Sequence, residues 1–205
     1  NATVDLVFSE VVVGFSSDAD ITVANGTLAA MTSSDNKTWT GIFTPTATNT
    51  QDWSNILLLG TGYTDTAGNT GTAANTAIYM VDNINPSVNS FTLSNTALKA
   101  GDNATVTLEF SEVVAYFSSA ADITVPNLDN GTTSGTLAAM TSSDNITWTG
   151  TFTPTANTED DNNTLSLATS WTDQVGNTGT AEESENYEVD TLAPTVSSFT
   201  LSDTA

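Results

Sequence analysis

Residues 103–125 read NATVTLEFSEVVAYFSSAADITV, and residues 1–23 read NATVDLVFSEVVVGFSSDADITV. In the first eight of the later stretch, Val106, Leu108 and Phe110 alternate with Thr105, Thr107 and Glu109. Strict alternation puts the apolar set on one side of an extended chain and the polar set on the other, which predicts a half-buried β-strand. The two stretches agree at 18 of 23 positions. GTLAAMTSSDNKTWTGIFTPT, from Gly26, returns from Gly135 as GTLAAMTSSDNITWTGTFTPT, with 19 of 21 positions identical. YTDTAGNTGTA at 63–73 answers WTDQVGNTGTA at 171–181, and VDNINPSVNSFTLSNTA at 81–97 answers VDTLAPTVSSFTLSDTA at 189–205. The displacement is 102 residues early and 108 late, the difference arising mainly from an insertion near Asn127–Ser134. A period of about 108 residues is too long for a solenoid unit and fits whole domains in tandem.

Alternation continues through the complete copy. Phe91 and Leu93 oppose Ser90 and Thr92, while Trp148, Gly150 and Phe152 oppose Thr147, Thr149 and Thr151. Residues 122–125 and 136–140 predict two short strands. Leu165, Leu167 and Trp171 mark another, and Tyr187 with Val189 the last. Turn signals such as Ser-Asp-Asn and Val-Gly-Asn separate them, and no helical periodicity is sustained. About seven strands per copy predict an all-β chain of tandem immunoglobulin-like β-sandwiches, here without a cysteine pair.

The copies are out of phase with the numbering. Residues 85–190 predict a complete domain, and residues 1–84 a domain lacking its first strand. Residues 191–205 repeat the segment that opens the complete copy and predict an orphan first strand. Whatever completes the first copy is then expected to come from outside its own residues. It is either a neighbouring covalent repeat or residues 191–205 of an identical subunit, head to tail.

The 205 residues hold two Lys/Arg against 24 Asp/Glu, no His and no Cys, for a formal charge of −22. Such a chain has little with which to neutralise a phosphate backbone or an anionic membrane. It offers no imidazole base and no thiolate. Nucleic acid and membrane insertion are therefore not expected. Apolar residues make up 38% of the chain, including four Trp and eight Phe, enough to expect packed cores rather than disorder.

The strings TALKAGDNATVTLEFSEVV, ADITV, WTDQVGNTGTA and YEVDTLAPTV together resemble the bacterial Ig-like extender repeats of giant RTX-type surface adhesins. The resemblance covers nearly the whole chain. It implies an extracellular, cell-surface structural module, often stiffened by calcium, with neighbouring Ig-like repeats as partners.

In an immunoglobulin-like sandwich the loop after the second strand and the last hairpin share one pole, where the incoming chain also arrives. That places Glu112, Asp173 and Asn177 at one pole, with Asp122 and the linker residues Asp82, Asn83 and Asn85 as further candidates. The first copy carries the matching Glu10, Asp18, Asp20, Asp65 and Asn69, and Asp190 repeats Asp82. All are oxygen donors, and Ca²⁺ takes six to eight of these. The competing reading is that Asp and Asn shape turns by accepting from the backbone. No EF-hand pattern occurs, and Asn127-x-Asp129-x-Gly131 is only a fragment of one.

Other features carry weaker expectations. Acidic loops duplicated at domain spacing do not suggest a glycosidase, and no enzyme is expected. Gly60-Thr-Gly62 lacks the rest of a dinucleotide fingerprint and reads as a turn or strand end. Trp39 and Trp148 share a face with Phe43 and Phe152, which favours a core over a sugar-stacking platform. Thr147, Thr149, Thr151 and Thr153 form a polar ladder, of a kind that can bind glycan or ice but more often is simply a soluble face. Asn-x-Ser/Thr occurs at Asn1, Asn25, Asn36, Asn103, Asn130, Asn145 and Asn162. Asn36 and Asn145 are the attractive glycan acceptors or, more plainly, turn residues.

Overall fold

The computed structural model describes residues 1–47, 49–128 and 131–203. Asp129 and Asn130 lie outside the described residues. The chain divides into two compact units, Asn1–Ile84 and Asn85–Ala205, the second including residues 191–205.

The first unit carries β1 (Ala2–Val7), β2 (Val12–Val13), one helical turn α1 (Ser17–Asp20), β3 (Ile21–Val23), β4 (Gly26–Leu28) and β5 (Thr38–Pro45). It continues with β6 (Gln51–Asn55), β7 (Leu57–Leu59), β8 (Thr64–Asp65), β9 (Ala74–Asn75) and β10 (Tyr79–Asp82). Its ladders run β1-β5-β4, β3-β7-β9, β2-β8 and β10-β6.

The second unit repeats this plan with two strands added at the start. These are β11 (Val88–Leu93) and β12 (Ala97–Lys99). There follow β13 (Ala104–Phe110), β14 (Val114–Ala115), α2 (Ser119–Asp122), β15 (Ile123–Thr124), β16 (Gly135–Leu137) and β17 (Thr147–Pro154). The unit closes with β18 (Glu159–Asn163), β19 (Ser166–Leu167), β20 (Thr172–Asp173), β21 (Glu182–Glu183) and β22 (Tyr187–Asp190). The ladders are β11-β13-β17-β16, β12-β22-β18, β15-β19-β21 and β14-β20. β12 runs parallel to β22, and the other strand pairs are antiparallel.

The predicted strands are present, cut into shorter pieces, and β12, β14, β18 and β21 add to them. Asp122 does not open a strand. It closes the single turn α2, and the strand beyond it is only Ile123–Thr124. The segment expected over 136–140 contributes strand pairing only over Gly135–Leu137.

Alternation dictates the core. Val106, Leu108 and Phe110 of β13 and Phe152 of β17 are fully buried, with Trp171, Tyr187 and Leu165 around them. The rings of Phe110 and Trp171 meet at 4.4 Å, and those of Phe152 and Tyr187 at 5.0 Å. The first unit builds the same nucleus from Phe8, Phe15, Leu59 and Tyr63 but seals it less well. Phe8 keeps 8% of its surface where its counterpart Phe110 keeps none, and Val4 and Leu6 are only partly buried. The cause lies at the edge. β13 is flanked by β11 and β17, whereas among the described residues β1 pairs with β5 alone.

Past β22 the side chain of Thr191 is buried, its hydroxyl donating to the Thr155 carbonyl at 2.7 Å. Residues 192–203 are exposed and form no strand. Among the described residues no helix is long and apolar enough to cross a membrane.

Candidate functional site

Asp173 ends β20 and is 1% exposed. Its Oδ1 accepts the backbone N–H groups of Val175, Gly176 and Asn177 at 2.8, 2.7 and 2.9 Å. Its Oδ2 accepts the side-chain amide of Asn177 at 2.6 Å. The Thr-Asp-x-x-Gly-Asn string is therefore a turn wound around one carboxylate, as the backbone-shaping reading expects. Gly176, at φ +99°, provides the left-handed residue the turn needs. The first unit repeats it. Asp65 Oδ1 accepts from Ala67 and Asn69, and its Oδ2 from the Asn69 side chain at 2.6 Å. Those bonds, the Asn69 amide foremost, hold the Asp65 carboxyl below the usual carboxylate range.

Glu112 follows β13 and is partly buried. Its carboxylate and that of Asp173 come within 4.8 Å of each other, the separation at which two carboxylates can share one cation. In the first unit Glu10, Asp65 and Asn69 line a single cleft of about 350 Å³, walled by Phe8, Val12 and Tyr63. The pole expected from strand connectivity thus gathers Glu112 with Asp173 in one unit, and Glu10 with Asp65 and Asn69 in the other.

Most of the remaining candidates have local partners. Asp122 is buried, and its carboxylate accepts the Ser118 N–H at 2.7 Å and the Ser170 hydroxyl, tying the start of α2 to its end. Asp20 likewise accepts the Ser16 N–H at 2.9 Å. Asp18 lies in the first turn of α1. Asn83 spends its whole side chain inside the first unit, accepting from Thr50 N–H and donating to the Thr46 carbonyl. Asp82 accepts from Gln51 Nε2 and from the Ile84 N–H, both at 3.1 Å. Asp190 accepts the Leu192 N–H at 3.2 Å. Asn85 is exposed. Sequence reasoning missed that Asp20 and Asp122 are bound to the residue four before them. The signal was the Ser-Ser-x-x-Asp repeat, which reads as a helix start only once a turn of helix is suspected.

Trp39 and Trp148 face inward. Trp148 packs edge-on against Phe117 with centroids 4.9 Å apart, and Trp39 against Phe15 at the same distance. Thr147, Thr149, Thr151 and Thr153 point to solvent. Across the sheet Thr149 lies opposite Thr107, which lies opposite Thr92. Asn36 and Asn145 occupy left-handed turns at φ +53° and +57°, which explains Asn at both places.

The family model for the bacterial Ig-like domain matches residues 1–81 and again residues 82–189. No curated protein matches the sequence. Among solved structures the chain is similar to an endo-fucoidan hydrolase of glycoside hydrolase family 107, at 17% identity and a TM-score of 0.30. That likeness spans 95% of this chain and 26% of the enzyme.

Proposed function

The chain belongs to the bacterial Ig-like domain family, twice over, and from that premise we propose that it is a non-enzymatic structural segment of a bacterial surface adhesin. Its work is mechanical: successive sandwiches hold a binding region away from the cell. The near-identity of the two cores supports this reading, since a spacer needs one stable module repeated, not two specialised ones. The formal charge of −22 and the exposed threonines of β17 keep such a segment soluble and apart from its neighbours.

The reading includes calcium. Its support is the approach of Glu112 to Asp173 within 4.8 Å in a chain of charge −22. Two carboxylates so close repel unless a cation lies between them. Asn177 and the turn carbonyls would complete an oxygen shell, with Glu10, Asp65 and Asn69 doing the same in the first unit. Thermal unfolding with Ca²⁺ and with EDTA tests it. A rise in melting temperature with Ca²⁺ that Glu112→Gln reduces supports the site, and identical curves in both conditions reject it.

A further inference from the structure

We propose that the outer face of the β6–β10 ladder in the first unit docks against the same face of a second copy of this chain, with Trp53 and Met80 at the centre of the contact. The surface goes beyond the spacer role and involves no calcium.

The two units share their core pattern but not the solvent side of one sheet. At an offset of 108 residues, Trp53, Leu58, Ile78 and Met80 stand where the second unit has Asp161, Ser166, Asn186 and Glu188. On the same strands Gln51, Ala74 and Asn75 replace Glu159, Glu182 and Glu183. Five carboxylates of the second unit thus have no counterpart in the first, and all five are exposed where they occur.

The replacements converge on one stripe. Tyr79 lies opposite Asn55 and Val81 opposite Asp52, with a bulge between, so Met80 faces Trp53 and Ser54 together. Asn55 and Val81 are buried on the inner side, and alternation turns Ile78 and Met80 outward. Leu58, between the buried Leu57 and Leu59, points the same way one step along the chain from β6. Trp53, Leu58, Ile78 and Met80 are 49%, 42%, 67% and 59% exposed. Their openness is a property of the complete sandwich. In the second unit Asp161, Asn186 and Glu188 stay exposed with β12 paired to β22 beside them.

Charge selects the occupant. A basic partner would be drawn to any acidic face of a chain of −22 and would need no apolar one. Two copies of this chain repel wherever both carry acid, and they can approach where acid has been removed. Trp and Met are enriched, and Asp and Glu depleted, at the centre of protein–protein contacts. Asp82, bonded to Gln51 at the end of the ladder, supplies a polar rim. An apolar face needs no complementary charge, so it fits itself, and such an isologous contact closes at two copies. A patch of this kind covers on the order of 400 Å². Two of them face to face stay below the roughly 1,200 Å² of a stable complex, which makes the contact weak and reversible.

Sedimentation of the 205-residue chain in EDTA, from micromolar to millimolar concentration, tests the proposal. The mass should climb toward twice that of the monomer. Trp53→Asp and Met80→Glu, made singly, should each shift that rise to at least tenfold higher concentration. Both place on the first unit the residue that the second already carries at the same strand position, and circular dichroism checks that they fold. Glu188→Gln, on the equivalent face of the second unit, should leave the association unchanged. A chain that stays monomeric throughout overturns the proposal, as do folded Trp53→Asp and Met80→Glu chains that associate like the unmodified one. A monomeric chain whose tryptophan emission moves to the blue on phosphatidylcholine vesicles has a lipid surface as its partner, which overturns it too. The measurement uses chelator and the purified chain, so failure of the calcium or adhesin reading leaves it unaffected.

Discussion

The side-chain amide of Asn177 donates to Asp173 Oδ2 at 2.6 Å, and the Asn69 amide donates to Asp65 Oδ2 at the same 2.6 Å. The hairpin is thus held twice by one carboxylate accepting from its own turn. Asp173→Ala leaves three backbone N–H groups without their acceptor in a site that is 1% exposed. Unfolding in urea should show a loss of about 2–3 kcal/mol for the second unit. Asp65→Ala, in a more exposed turn, should cost less in the first, where water replaces the lost bonds.

Ser134 Oγ and Tyr187 Oη are 2.8 Å apart with both residues fully buried. Either single change, Ser134→Ala or Tyr187→Phe, strands one hydroxyl in the core and should cost about 1–3 kcal/mol. The double variant strands neither. Its loss should therefore be smaller than the sum of the singles, a coupling that chemical denaturation of the four chains measures.

Two glycines in the same hairpin should respond differently to alanine. At Gly179 a Cβ would overlap the ring of the buried Trp171. Gly179→Ala should destabilise by about 1–3 kcal/mol through overpacking. Gly176 has open space around it but sits at φ +99°, so Gly176→Ala should cost about 1–2 kcal/mol from backbone strain alone. Near-ultraviolet circular dichroism of Trp171 separates the mechanisms, changing for Gly179→Ala and not for Gly176→Ala.

Stability should fall at both extremes of pH. The backbone N–H groups of Thr38 and Lys37, with the Ser33 hydroxyl, lower the Asp35 carboxyl from 3.8 to about 2. Asp144 is lowered in the same way by Thr147, Ile146 and Ser142. A carboxyl depressed in the folded state stabilises above its unfolded value and loses that contribution on acidification through the folded value. Melting temperature should therefore drop between about pH 4 and pH 2, less steeply in Asp35→Asn. At the other end, burial raises the Tyr187 hydroxyl from 10.0 to about 12, the Ser134 bond opposing it. That contribution is intact below pH 10 and disappears as pH climbs toward 12. Ultraviolet titration of phenolate should show Tyr187 ionising together with unfolding.

Much of this architecture was legible because alternation is a direct image of burial. β13 and β17 read correctly from Val106, Leu108 and Phe152 alone. β18 did not, because EDDNN contains no apolar residue and owes its strand geometry to the ladder with β22 and to the buried Asn163. α1 and α2 were invisible because a four-residue turn has no periodicity to detect. Glu112 and Asp173 could be assigned to one pole, since loop connectivity in a sandwich determines which turns are neighbours. The partners of Asn83 and Asp122 could not, because hydrogen bonds to Thr46, Thr50 and Ser170 depend on loop paths that composition does not encode.

β12 lies parallel to β22, with Ala97, Leu98 and Lys99 opposite Glu188, Val189 and Asp190. These strands belong to the first and last parts of the same sandwich. When the ends of that unit are drawn apart, two parallel neighbours are dragged past each other along their length. Their bonds are loaded together, in shear, rather than opened one after another like a zipper. A strand only three residues long, anchored in the core by the buried Leu98, is thus the natural place for this domain to resist tension.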